Sequence, residues 1–344
     1  MINVDVLNEI VNDQEKAVFK SMRTDMSTGK ALLNVEQLGY FLREATLDNT
    51  ILRDADFKLM KSFKKLLNRT GINGRVLTNG YASSGETDPD IEAADVTFGA
   101  NELDAKKLKA MCEIEDDEKE DNMTQAQFEQ TLLSMMGERI GEDLEYWALF
   151  GDTDVSRSTD ALLNTTNGWI KKAENNISST SIAPSNGVFD VEDGPEAMFD
   201  AMIKALPPRF RKNRRQLKFY VPFEVEDAYR NVLIARGTGL GDSAQIGFNP
   251  LSFKGIPIEH CSTLDDDDGR AIDNKVTSML VNPKNMAYGL WKNLSIEPKR
   301  IVEYEKTQYW FRMRGDVDYY FRNGVVTAKM TKSDAEGLPD ISRA

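Results

Sequence analysis

The chain has 344 residues, 56 acidic against 43 basic, a formal net charge of −13 and 40% hydrophobic residues. That length can bury one large core or two smaller ones, and 16 Phe, 10 Tyr and 4 Trp argue against intrinsic disorder. The negative balance argues against a general nucleic-acid binder, whose affinity comes from clustered Lys and Arg. No apolar run approaches the roughly 18 residues of a membrane span, and the start of the chain, with Asp5 and Glu9, lacks the basic opening and apolar core of a signal peptide. Cys112 and Cys261 have no metal-type spacing and read as reduced, buried small hydrophobes.

Val4, Leu7, Val11, Val18 and Met22 predict a first helix, broken at Ser27-Thr28-Gly29, and Val35, Leu38, Phe41, Leu42 and Ala45 predict a second. Neither has the apolar surface to form a domain, so they read as an arm that packs on something else. From about Gly71 to Ala105 the chain is punctuated by Gly74, Gly80, Gly85 and Pro89 around a polar middle, Ser83 to Asp90. This predicts a long hairpin projecting from its own core, a plain surface loop being the alternative. Leu108, Ala110, Cys112 and Ile114 then alternate as a strand, and seven acids lie between Glu113 and Asp121.

A long helix is predicted from about Thr124 to Phe150, with an apolar stripe of Phe128, Leu132, Met136, Ile140, Leu144 and Ala148 flanked by Met135 and Trp147; Gly151-Asp152 ends it. Pro195 opens a further helix with Phe199, Met202, Ile203 and Leu206 inward, stopped by Pro207-Pro208. Leu217 to Val221 reads as strand, Val225, Tyr229, Val232 and Leu233 as helix, and Phe253 to His260 as strand, so 187–289 reads as an α/β unit. Tyr309, Phe311, Met313, Val317, Tyr319 and Phe321 alternate with Arg312, Arg314, Asp316 and Asp318, predicting a long half-buried strand. Asn323-Gly324 predicts a hairpin turn into Val325 to Met330.

The search for chemistry finds no catalytic, cofactor-binding or metal-binding residues to name. His260, the sole histidine, has only Cys261 beside it and reads as structural. Gly237, Gly239 and Gly241 fail the dinucleotide fingerprint in spacing and in following a helix. Asp265 to Asp268 before Gly269 lacks the acid of a calcium loop at Leu264 and reads as a solvated turn. Arg209, Arg211, Lys212, Arg214, Arg215 and Lys218 form the one basic cluster, either a solvated surface or an intersubunit site meeting acids such as Glu113 to Asp121 of a neighbour.

The order of these elements resembles the Hong Kong 97-type coat protein of tailed phages, an α+β fold shared with encapsulins and herpesvirus capsid floor domains. Val96-Thr97-Phe98, Leu103 through Ala110 and Ile114-Glu115-Asp116-Asp117 look like the descending strand of that family's extended loop leading to its spine helix. Asp143-Leu144-Glu145 with Phe150-Gly151-Asp152 look like the ending of that helix, and Lys218 to Pro222 and Lys254 to Ile258 like strands of the axial domain. The resemblance covers nearly the whole chain and implies an N-terminal arm (1–55), an extended loop (68–105), a peripheral domain (106–186 with 290–335), an axial domain (187–289) and a tail (336–344).

It further implies a virion structural protein, without enzymatic activity, that assembles in the host cytoplasm. The protein would close with copies of itself, as pentamers and hexamers, into an icosahedral shell around DNA. Expected partners are a portal, decoration proteins and, since only about 55 residues precede the hairpin region, a scaffold made as a separate protein. No sequence-specific DNA contact, membrane or cofactor is expected. Some relatives weld their shells by joining a lysine of the extended loop to an asparagine of a neighbour; between Thr70 and Ala105 this chain has no lysine. The rival readings are an encapsulin-type compartment and an acidic intracellular enzyme.

Overall fold

The computed structural model describes residues 50–73, 95–115, 125–178, 194–235, 251–265, 275–291 and 295–331. The two arm helices, the hairpin tip, the acidic run beyond Glu115, the glycine-rich loop and the tail lie outside them.

The described chain opens with a short helix, α1 (Thr50–Asp54), and strand β1 (Asp56–Met60). The antiparallel pair β2 (Lys64–Asn73) and β3 (Asp95–Asp104) follows, and then β4 (Lys106–Glu115). The long helix α2 runs Gln125–Phe150, as its stripe predicts: Ile140, Leu144, Trp147 and Ala148 are buried. Met135, expected to flank the stripe, is instead 62% exposed. Past α2, Gly151 and the start of α3 (Trp169–Lys172) meet backbone to backbone. The Gly168 amide donates to the Gly151 carbonyl at 2.7 Å, and a Cβ on Gly168 would sit 2.6 Å from the Leu149 carbonyl oxygen. Only glycine permits that approach.

Next come β5 (Asn175–Ser178), α4 (Gly194–Ala205), α5 (Pro208–Arg211), β6 (Lys218–Val221) and α6 (Phe223–Ala235). The predicted strand from Phe253 to His260 is two, β7 (Ser252–Phe253) and β8 (Ile256–His260). Lys254 (φ 49°) and Gly255 (φ 82°) turn the chain back on itself between them. The chain closes with β9 (Lys275–Val281), β10 (Met286–Trp291), β11 (Ser295–Ile301), β12 (Lys306–Tyr319) and β13 (Val325–Thr331).

Two larger sheets organise these strands. The first has the order β1-β10-β12-β11, with β4 also paired to β12. The second runs β5-β13-β9-β6-β8-β7. On the first, α2 and α3 cover one face through Trp147, Leu144 and Trp169 packed with Phe311, Val317 and Tyr319. Against the second, α4 and α6 bury Phe199, Met202, Val225 and Tyr229 with Phe219, Leu280 and Val326. Phe199 stacks on Phe219 at 4.6 Å and meets Tyr229 edge-on at 5.5 Å.

Two expectations for the C-terminal part are corrected. Asn323-Gly324 does not close a hairpin, because β12 belongs to the first sheet and β13 to the second. Asn285 redirects the chain there: its amide accepts from the Phe321 N–H and donates to the Phe321 carbonyl, both at 2.8 Å. Its backbone carbonyl also accepts from Tyr320 N–H at 3.0 Å. Nor is β12 half-buried throughout. Alternation holds from Thr307 to Met313, but Asp316 and Asp318 are only 4% and 1% exposed, since the Asp104 end of β3 and the side chains of Thr166, Lys172 and Arg322 close over what would have been their solvent face. Their charges are compensated there. Asp316 accepts from Thr166 Oγ1 and the Asp104 amide, Arg322 forks onto Asp318, and Lys172 reaches 3.5 Å from Asp316 and 3.6 Å from Asp318.

Candidate assembly surfaces

The sites that the sequence put aside resolve as structural where they are described. His260 Nε2 lies 2.7 Å from Asp265 Oδ2, and its ring meets Phe223 edge-on. Asp265 also accepts from the Phe223 amide at 2.6 Å, a loop-to-helix tie; Asp266 to Asp268 and the 237–247 loop lie outside the described residues. Cys261 is fully buried, and burial, with the Glu145 carboxyl beside it, pushes its thiol pKa well up. Cys112, expected to be buried, is only partly so, because it lies on β4 at the edge of the first sheet. Among the described residues no group of three or more His, Cys, Asp or Glu is placed to hold a metal, and no helix is long and apolar enough to cross a membrane.

The β2–β3 pair differs from the rest of the structure. Ten residue pairs, Lys64 with Asp104 through Asn73 with Asp95, form a two-stranded sheet that no other described strand joins. Its base is well anchored. Leu67 and Leu103 are buried with Met60 and Ala287, Asn101 Nδ2 donates to the Tyr319 carbonyl, and Arg69 donates to that of Tyr320 at 3.2 Å. Beyond that base an isolated pair of strands is marginal in water, so it calls for a covering surface.

The open face of the first sheet supplies surface of that kind. Across it, Lys109 lies beside Arg312, Met111 beside Trp310, and Glu113 beside Gln308 and Lys306. The rows pass from basic through apolar to mixed charge, and Met111 is 44% exposed. Where this face meets the hairpin base, Phe63 stacks on Trp291 at 4.3 Å and Arg314 lies 4.7 Å from the Phe63 ring. Phe63 and Leu66 remain exposed. A cation over paired aromatics beside open apolar surface has the make-up of an interface anchor. No local pattern announces this grouping, since its members come from three separate segments.

At the far end of β12, Val302 and Tyr304 stand exposed on the turn from β11. The basic cluster is less unified than its spacing suggested. Lys218 leaves it to pair with Asp54 at 2.6 Å and Glu259 at 2.7 Å, while Lys212, Arg214 and Arg215 are exposed.

Another unforeseen group joins distant segments. Glu145 of α2, 1% exposed, accepts from the amides of Ile51 and Leu52, both at 3.2 Å. It accepts also from Thr263 Oγ1 at 2.8 Å and Cys261 Sγ at 3.3 Å. One carboxyl thus caps the first turn of α1 and ties it to the turn after β8.

No family model matches the chain. It is similar to the putative prophage capsid protein YqbE of Bacillus subtilis (strain 168), 24% identical over 327 residues, which cover 94% of this chain and 98% of that protein. Among solved structures, it resembles a chain of the satellite phage P4 procapsid that includes the size determination (Sid) protein. That likeness has a TM-score of 0.58 and 12% identity, covering 87% of this chain and 99% of that one. A capsid chain of the native GTA particle aligns with a TM-score of 0.58 and 15% identity over 84% of this chain and 90% of that one. Microbacterium phage Oxtober96 contributes a third, with a TM-score of 0.55 and 11% identity over 83% and 91%.

Proposed function

We propose that this chain, which has the Hong Kong 97-type capsid fold, is the major capsid protein of a tailed phage or prophage, assembling with copies of itself into the head shell. The observation that carries the reading is a near full-length likeness to a prophage capsid protein in a chain whose β2–β3 pair is joined by no other described strand. The same likeness favours a phage head over an encapsulin-type compartment. The protein works through surfaces and has no catalytic role. Two sheets fit a division into peripheral and axial parts, but not its bounds at 106–186 with 290–335 and 187–289: β5 and β13 pair within the second sheet and β10 within the first, so the proposed border is moved to follow the pairing. A separate scaffolding protein, a portal, decoration proteins and DNA held without sequence-specific contact belong to the same proposal. A procapsid that includes a size determination protein, among the structural neighbours, supports an external assembly partner.

Negative-stain microscopy of the purified protein, alone and co-expressed with neighbouring head genes, tests the reading. Closed particles or ring-shaped capsomers are expected. A compact monomer under every assembly condition would overturn it.

A further inference from the structure

A cleft of about 260 Å³ opens where the end of β12 meets α5 and the turn between β9 and β10. Eleven residues line it and none is acidic, in a chain with 56 acids against 43 bases. Arg209 and Lys284 bring positive charge, Phe210 and Phe321 aromatic walls, Asn213 and Gln216 amides. The Arg209 guanidinium lies 4.5 Å from the Phe210 ring and 5.1 Å from that of Phe321, and donates to Asn323 Oδ1 at 3.0 Å. Lys284 donates to a backbone carbonyl, that of Asp54, at 3.1 Å. Asp56, whose carboxyl feels the Lys284 charge, is taken up by Lys58 and Tyr320. Among the described residues neither Arg209 nor Lys284 forms an ion pair, and Arg211 Nε on the same turn is buried without an acceptor. A guanidinium held against two aromatic faces, with a lysine beside it and neither in an ion pair among the described residues, is suited to receive a carboxylate.

Glu115, where the chain's own acidic run begins, lies at the opposite end of β12 from the cleft. Lys306, the first residue of β12, pairs with Glu115, whereas the cleft takes Tyr320 and Phe321 just past the last. A 14-residue strand separates them by about 40 Å. From Glu115 to Asp121 the sequence carries six acids and one lysine, and Asp121 lies within about 21 Å of Glu115 even on a fully extended chain. The run cannot fill the cleft of its own molecule.

We infer that the cleft receives the acidic segment 115–121 of a second copy of this chain, joining successive copies acid end to basic cleft. Two different surfaces meeting in this way form a heterologous contact, which closes into rings when the rotation allows. Pentamers and hexamers require such closure, and the inference rests on the coat-protein reading. Each copy brings one run and one cleft, a matching that DNA does not offer to a protein of net charge −13.

Charge exchange tests it. Arg209→Glu with Lys284→Glu, and separately Asp116→Lys with Asp117→Lys, should each lower the assembled fraction at least about tenfold in sedimentation at low salt. Combining the four should restore most of it. Wild-type assembly should weaken as salt is raised. Cleft-reversed subunits that assemble like wild type overturn the inference. So does a four-fold variant no better than its parents, which would assign the cleft to another anion, DNA phosphate or a separate acidic protein. Should reversal lower the melting temperature, carbodiimide cross-linking of particles mixed from ¹⁴N and ¹⁵N subunits decides instead. A link from Lys284 to residues 115–121 across isotopes is expected, and its absence refutes the contact. Failure of the wild-type chain to assemble at all would overturn the coat-protein reading and this inference with it, whereas assembly that survives cleft reversal overturns this inference alone.

Discussion

At the scale of single residues, buried polar groups hold segments that packing alone would leave loosely joined. Glu145 receives hydrogen bonds from α1 and from the turn after β8, so Glu145→Ala would orphan two helix N–H groups and open a void. A loss of roughly 3–4 kcal/mol in urea unfolding is expected, with Glu145→Gln, which keeps an acceptor oxygen, costing less. Equal midpoints for Glu145→Ala and wild type would show that this carboxyl holds nothing. Asp54 governs a second junction through Lys218 and Tyr220. Burial raises its carboxyl, but the Lys218 and Tyr220 hydrogen bonds and the Lys218 and Arg53 charges outweigh this and hold it below its ordinary 3.8. A depressed carboxyl contributes stability above its unfolded pKa and loses it as pH falls through the folded one. Burial lowers Lys218, yet Asp54 and Glu259 lift it above 10.5, so its contribution is present below that pH and fades as pH rises further. Between about pH 5 and pH 2, wild type should therefore lose more stability than Asp54→Asn; parallel pH profiles would remove Asp54 from the account.

At the scale of elements, β2–β3 stands apart as a pair that no other described strand joins. Replacing residues 73–96 with a short Gly-Ser linker keeps Leu67 and Leu103, which anchor the base. The subunit should stay folded, with its melting temperature within a few degrees of wild type, while assembly is lost. Melting of the whole subunit would show that the hairpin belongs to its own core. The α2 helix and the first half of β12 were legible in the sequence because each follows one periodicity over many residues, and the hairpin because glycines and a polar middle punctuate the chain between 71 and 105. The reading stopped where a partner from afar changes what a position means. Asp316 and Asp318 keep the alternation of a solvent face, yet the Asp104 amide and Thr166 close over Asp316, and Lys172 and Arg322 compensate the pair. Asn323-Gly324 carries the local chemistry of a hairpin, but Asn285 takes up the backbone groups of Phe321 and sends the chain into another sheet. The assembly surfaces were the least legible part, since Phe63, Trp291 and Arg314 meet only through the fold.

At the scale of the whole molecule, the question is what holds many copies together. A lysine-to-asparagine weld needs a neutral amine at the extended loop, able to attack an amide. Arg75 is the one basic residue between Thr70 and Ala105, and its guanidinium stays protonated. Lys106 sits at the base of the hairpin, where it pairs with Asp104 at 2.6 Å, and Lys107 follows it at the start of β4. Disulfides offer no substitute. Cys261 is fully buried with its thiol pKa pushed up, so it is neither reachable nor readily a thiolate, which leaves one sulfur per copy, Cys112, able to join copies in pairs but not to link a shell. The shell is then held by burial, strand pairing and ion pairs between copies. Mature particles boiled in detergent with reductant should run as one band near 38.7 kDa. A ladder of higher bands that survives reductant would overturn this account of cohesion while leaving the fold untouched.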